Sequence, residues 1–355
     1  MKFPYLVGPA RVGVGLAVLT TVLLGTPFGQ QRSTGLAPSL VGEAAESVAA
    51  VVDREYFDAA VAGRAARSIR EALSQGRYND AHTIESLAEM LTRDLFEATK
   101  DKHLAVRVVR DRSSAEISTG SDDREVRARR TNFGVQRVEV LAGNVGYLNL
   151  TSFYRPEEAQ EALSAAMRLL RSTDALIVDM RQNSGGSPET VALLTSYLFD
   201  APNLLLFEIV PRSGTGRRYT TEAPPVPERN GTRPTYVLTA ERTFSAGEGF
   251  AFILQERRRA IVVGERTAGA ANPGRPYPVS ARLEVTVPNG QVRTALSGQN
   301  WEGKGVTPDV SVPTADALGL AHIHALRELL AQAPSGLWQQ TLKRHLEALE
   351  SSSRR

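Results

Sequence analysis

Apolar residues recur about every third or fourth position through Val48, Val51, Val52, Phe57, Val61, Ala65, Ile69 and Leu73, the spacing of a single buried stripe on a helix. The stripe stops at Gly76, and Gly63 within it predicts a break. A second stripe, Ile84, Leu87, Leu91, Leu95 and Phe96, follows Asp80 as N-cap and runs to Lys100. Two helices with one apolar face each make an N-terminal bundle that has to pack on something.

The texture then changes. LAVRVVR (104–110), VQRVEVL (135–141), VGYLNLTSF (145–153), ALIVDM (175–180), TYVLTA (235–240) and AIVVGE (260–265) are short, β-branched runs and predict strands. Helical spacing fills Glu157–Arg171, Pro188–Phe199 and Ala246–Arg258 between them, so strands alternate with helices as in a largely parallel, helix-covered sheet. Val279–Leu296 predicts a hairpin turning at Asn289-Gly290. Asp111–Asn132, charged and rich in Ser and Arg, reads as a solvated loop, and helical spacing returns from Thr314 with a split at Pro334.

The first thirty residues stand apart. Lys2 and Arg11 precede the uncharged run Val12–Gly25, which at 1.5 Å per residue falls short of the roughly 30 Å of a bilayer core. It reads as an export signal, or as an uncleaved anchor, giving an exported, periplasmic, cell-envelope or secreted protein. The resulting division is 1–30 signal or anchor, 31–43 linker, 44–101 helical subdomain, 102–313 catalytic core and 314–355 C-terminal helices. The 42 basic residues against 39 acidic ones give a formal charge of +3, so no nucleic-acid partner is called for and a membrane enters only through the anchor. With no cysteine, thiolate metal sites, disulfides and a lipid-anchored cysteine are excluded.

Three junctions offer chemistry. In Asp179–Glu189 a buried strand runs into a helix through Gly185-Gly186, with Ser187 as N-cap and Pro188 at the first helical position. Such a turn is either a plain connection or a cradle whose amides hold an oxyanion. Ser245 stands at the entrance of the helix starting at Ala246, as a cap or as a nucleophile whose neighbour's N–H, that of Ala246, helps to bind the oxyanion. Gly247 and Gly249 in the first turns cost about 1 kcal/mol each relative to alanine, which close approach of another group would explain. Of the five histidines, His103 alone lies at a helix-to-strand junction; His322 and His324 read as helix surface. His103 as a base needs an acceptor, and Glu302 is one of many carboxylates available.

LIVDMRQNSGG, YVLTAERTFSAGEGFAFIL, IVVGERTAGAANPG and GVTPDV occur in that order. Together with the N-terminal helices and DKHL, they resemble the serine peptidases that include tail-specific (C-terminal processing) proteases, the tricorn core protease and interphotoreceptor retinoid-binding protein. The resemblance implies an α/β (α+β) fold with a Clp protease/crotonase-like spiral β-β-α core. It puts the nucleophile on Ser245 and the oxyanion donors on Gly185, Gly186 and Ala246. The Ser-Lys dyad of tail-specific members is missing, since Glu265–Asn272 holds no lysine; the tricorn-like alternative falls on His103 and Glu302. Lys102 replaces the second serine of that arrangement, and a cation there opposes an imidazolium unless it points away. The stretch between the strand after His103 and VGYLNLTSF is too short for a PDZ domain. The expectation is a serine peptidase acting on peptides or proteins without metal or organic cofactor, its oligomeric state open. The alternative is an inactive carrier of retinoid- or fatty-acid-like ligands.

Overall fold

The computed structural model describes residues 35–109, 119–223 and 231–352; the signal or anchor segment lies outside them. The described chain opens with α1 (Pro38–Glu55), α2 (Ala59–Ser74) and α3 (Ile84–Thr99), then β1 (Ala105–Val108) and α4 (Thr119–Arg130). The next elements are β2 (Val135–Leu141), β3 (Val145–Leu150), α5 (Pro156–Leu169), β4 (Ala175–Asp179) and α6 (Pro188–Ser196). A strand pair, β5 (Leu205–Pro211) and β6 (Arg217–Thr220), precedes β7 (Thr235–Thr239), α7 (Ala246–Glu256) and β8 (Ile261–Gly264). The chain closes with β9 (Gly274–Pro278), β10 (Leu283–Pro288), β11 (Gly290–Thr294), β12 (Val310–Ser311), α8 (Ala317–Gln332) and α9 (Leu337–Ser352). This mixed helix-and-sheet arrangement is the predicted fold class.

The main sheet runs β12-β8-β7-β4-β3-β2, parallel except for the antiparallel pair β2–β3. Both faces are covered, which is why β4 and β7 are buried at every position. Leu176 and Val178 enter the core shared with α5, α6 and α7, while Ala175 and Ile177 face α8 and α9. The period-two alternation of strand side chains produces that division. Because β4 and β7 are parallel neighbours, the turns after them, carrying Gly185-Gly186 and Ser245, emerge at the same edge. That edge, outside the carboxyl ends of the strands, is where open α/β sheets bind ligands.

Several expectations are corrected. The first apolar stripe breaks at Tyr56–Asp58, where the Asp58 carboxylate caps α2 by accepting from the Ala60 and Val61 amides; Gly63 stays helical. Thr83, not Asp80, caps α3. The expected linker ends early, because Pro38 opens α1 and Val41 is already buried. Of the expected loop 111–132, residues 111–118 lie outside the description and Thr119–Arg130 is helical. The hairpin does not form: β10 pairs with β1 and β9, β11 pairs with β5, and Asn289 carries the chain from one sheet into another. β5, β6 and β9 lie outside the runs singled out by sequence. The helices α1–α3 share a core with Leu104, Val106, Leu283, Val285 and Val287, so β1 and β10 supply the surface they required.

Candidate active site

Ser245 occupies the β7–α7 turn with φ 52° and ψ −116°, a conformation that L-residues other than glycine avoid. A buried carboxylate holds it. The Ser245 amide donates to Glu248 Oε2 at 2.8 Å, and that fully buried carboxylate also accepts from Thr267 Oγ1 and the Gly269 and Ala270 amides. Burial pushes the Glu248 carboxyl above the usual range, against the pull of these four donors. A strand-to-helix turn that presents a serine in strained backbone is the form of a nucleophile elbow.

The two glycine-bearing turns are bolted together. Asn183 is wholly buried; its carbonyl accepts from the Phe244 amide and its Nδ2 donates to Leu150 O. A Cβ on Gly185 would come within 2.8 Å of Ser245 Cβ, so only glycine permits this approach. Gly247 and Gly249 have the same explanation, their Cβ positions lying 2.6 Å from Asn183 Oδ1 and 2.8 Å from the Trp301 ring. One of the three expected oxyanion donors is engaged elsewhere, because the Gly185 amide donates to Asn183 Oδ1 at 2.9 Å. Among the described residues, the Gly186 and Ala246 amides have no acceptor. Both line one apolar pocket with Ser245, of about 40 Å³ and walled by Val191, Phe207, Ile253, Val292 and Trp301.

His103 arrives from the α3–β1 connection, 142 residues from Ser245 in sequence, with Nε2 3.1 Å from Ser245 Oγ. Phe244 packs against the imidazole, their ring centres 4.9 Å apart. Burial, reinforced by the charge of Arg107, lowers the His103 pKa to about 4, which leaves the ring neutral and able to take a proton at pH 7. Lys102 points away: its ammonium donates to the Ala268 carbonyl.

Behind the ring stand two carboxylates. Glu302 Oε2 accepts from the Ala271 and Asn272 amides at 2.7 and 3.1 Å. Its Oε1 and His103 Nδ1 are both buried and unpaired among the described residues, a matched acceptor and donor. Asp101 was not singled out by sequence. It is 1% exposed, accepts from the His103 amide and from the Tyr56 hydroxyl, and its Oδ1 lies 3.9 Å from His103 Nδ1, beyond hydrogen-bond reach. Burial, followed by the charge of Asp101, pushes Glu302 up to about 7; burial raises Asp101 as well. Donor atoms of Asp101, His103 and Glu302 lie within 4.8 Å of one another, so the trio is also the candidate cation site among the described residues. His322 is no surface residue, since its Nε2 lies 2.7 Å from Ala142 O in a buried position.

A model of peptidase family S41 matches residues 144–312, and a model of the N-terminal domain of that peptidase in eukaryotic IRBP matches residues 38–133. The chain belongs to the S41 peptidases. Within the family it is 28% identical over 192 residues to the carboxy-terminal processing protease CtpA of Bacillus subtilis, a match over 53% of this chain and 39% of CtpA. The chain thus spans less than half the length of that curated relative. The fold is similar to that of mature CPAF (TM-score 0.56, 13% identity, 87% of this chain and 96% of that one). It is also similar to the tricorn protease (TM-score 0.51, 15% identity, 88% of this S41 chain and 37% of tricorn).

Proposed function

We propose that the protein is an exported serine peptidase in which Ser245 attacks the scissile carbonyl and His103 Nε2 accepts its proton. The observation that carries this reading is the 3.1 Å Oγ–Nε2 contact made by a serine in strained backbone. For Nε2 to accept, the proton of the neutral ring sits on Nδ1, on the side of Asp101 and Glu302; Glu302 Oε1, which no other donor among the described residues occupies, is its acceptor in the reacting complex. Glu302 then orients the imidazole and stabilises the imidazolium. The amides of Gly186 and Ala246 receive the tetrahedral oxyanion, and His103 returns the proton to the leaving amine. The pocket beside Ser245 takes a small aliphatic side chain next to the scissile bond. The apolar space there is only ≈ 40 Å³, and the cleft of ≈ 1070 Å³ that it adjoins is lined by Arg127, Arg155, Arg217 and Arg275, which argues against a carrier of retinoid-like molecules.

Labelling with a fluorophosphonate and mapping the adduct tests the reading, with modification expected on Ser245 and absent from Ser245→Ala and His103→Ala. Peptide hydrolysis that survives Ser245→Ala refutes it. Export rests on Lys2, Arg11 and the apolar run Val12–Gly25. N-terminal sequencing of mature protein from the producing cell tests it, and retention in the cytoplasm with residue 1 intact overturns it.

A further inference from the structure

The apolar pocket at Ser245 opens into a far larger cleft, of ≈ 1070 Å³, and the two share Gly186, Pro188, Ile209 and Pro273. Four arginines from four separate elements line the cleft: Arg127 on α4, Arg155 at the entrance of α5, Arg217 on β6 and Arg275 on β9. Among the described residues, Glu189 is the one acidic residue in its lining. That carboxylate is already engaged, 2.7 Å from Arg217 and bound by the Ser187 hydroxyl. On α4 the nearby Glu125 pairs with Arg129, not with Arg127. Among the described residues, Arg127, Arg155 and Arg275 have no ion-pair partner. All three are exposed, so folding does not require them to be where they are. A solvated protein face of near-neutral overall charge mixes both signs; a concave wall of one sign focuses its field and raises the local concentration of anions.

We infer that the cleft holds the substrate polypeptide by its carboxylates, the guanidinium groups of Arg127, Arg155 and Arg275 receiving Asp or Glu side chains near the scissile bond or the terminal carboxylate of the chain. This deepens the peptidase reading and rests on it. Planar guanidinium groups suit the task because each presents paired donors to both oxygens of a carboxylate. Contacts of this exposed kind set substrate preference and encounter rate more than they set turnover.

Binding to the full-length Ser245→Ala protein tests the inference without any turnover. The probes are a fluorescent alanine-rich peptide carrying two Glu, its Gln counterpart, and the same Glu peptide amidated at its C-terminus, all followed by anisotropy. The Glu peptide is expected to bind about tenfold more tightly than the Gln peptide at low ionic strength, with most of the advantage lost at about 0.5 M salt. Combining Arg127→Gln, Arg155→Gln and Arg275→Gln should bring the ratio close to one. Arg275→Glu should shift preference toward a Lys-containing peptide, a gain that misfolding cannot imitate. Weaker binding on amidation alone assigns the anchor to the terminal carboxylate, and weaker binding on Glu-to-Gln exchange assigns it to side chains. Equal affinity for all three peptides, or a preference that outlives the triple variant, overturns the inference. Hydrolysis of the Gln peptide by unmodified protein decides the peptidase reading separately.

Discussion

Glu302→Gln should lower activity at pH values above about 7, and should raise stability by an amount that sets in above about 4.5 and is complete near 7. When His103 takes the serine proton, an ionised carboxylate within 4.8 Å of the imidazole contributes about 3–4 kcal/mol at an effective dielectric near 20. Losing it should reduce kcat/KM by about a few hundredfold. Glutamine keeps an oxygen for the Ala271 and Asn272 amides, so the loop they belong to stays in place. Below the Glu302 pKa of about 7 the native enzyme already lacks that charge, and the variant and native rates should converge. His103, held at about 4, does not titrate in this window. The rise in kcat/KM through neutrality therefore belongs to Glu302 and should vanish in the variant. The stability effect has the opposite sign. A carboxyl whose folded pKa lies above its unfolded value is at no disadvantage below about 4.5; its cost to folding grows as pH rises from there to about 7 and is constant above. Glu302→Gln should therefore raise the denaturation midpoint at pH 8 and leave it unchanged at pH 4. A pH–rate profile of the variant decides the matter: an unmoved limb near 7, or an equal loss at every pH, would refute the electrostatic role.

Asp101→Asn removes the like charge that helps to raise Glu302, so the rising limb should move to lower pH; the orphaned Tyr56 hydroxyl adds about 1–3 kcal/mol of destabilisation in urea melts. Gly249→Ala gains about 1 kcal/mol of helix propensity but drives a methyl into Trp301, and overpacking of about 1–3 kcal/mol should leave it less stable in denaturant titrations. Glu248→Gln turns an amide NH2, itself a donor, toward N–H donors, costing on the order of 3 kcal/mol and slowing fluorophosphonate labelling of Ser245, because the elbow loses its anchor. Dialysis against EDTA should leave peptidase activity within about twofold; a loss restored by a divalent cation would reassign Asp101, His103 and Glu302 to metal binding.

Elements whose reasons are local were legible in the chain. VQRVEVL delimits β2 at both ends, and Ser187-Pro188 marks the start of α6, because β-propensity and helix capping act over a few residues. Elements whose reasons are distant were not. Asn289-Gly290 carries a turn signal that a hairpin and a passage between two sheets satisfy equally; the choice lies with β1 and β5, more than 75 residues away in each case. His322 sits on a helix whose burial depends on the Ala142 carbonyl, which no helical periodicity reveals.

Asp101 shows the same limit within the site. DKHL displays it two residues before the base, yet an acidic residue beside a helix end reads as an ordinary surface group. Only the fold shows that it is buried, held by a tyrosine from the end of α1 and set beside a second carboxylate from beyond β11. The consequence reaches past one residue. Tyr56 bonds to Asp101, Asp101 bonds to the His103 amide, and His103 meets Ser245, so on the proposed mechanism the N-terminal helices are tied to the reacting groups through one chain of hydrogen bonds. Their core with β1 and β10 includes Leu104, the residue next to His103, so the backbone that carries the imidazole is anchored in that core.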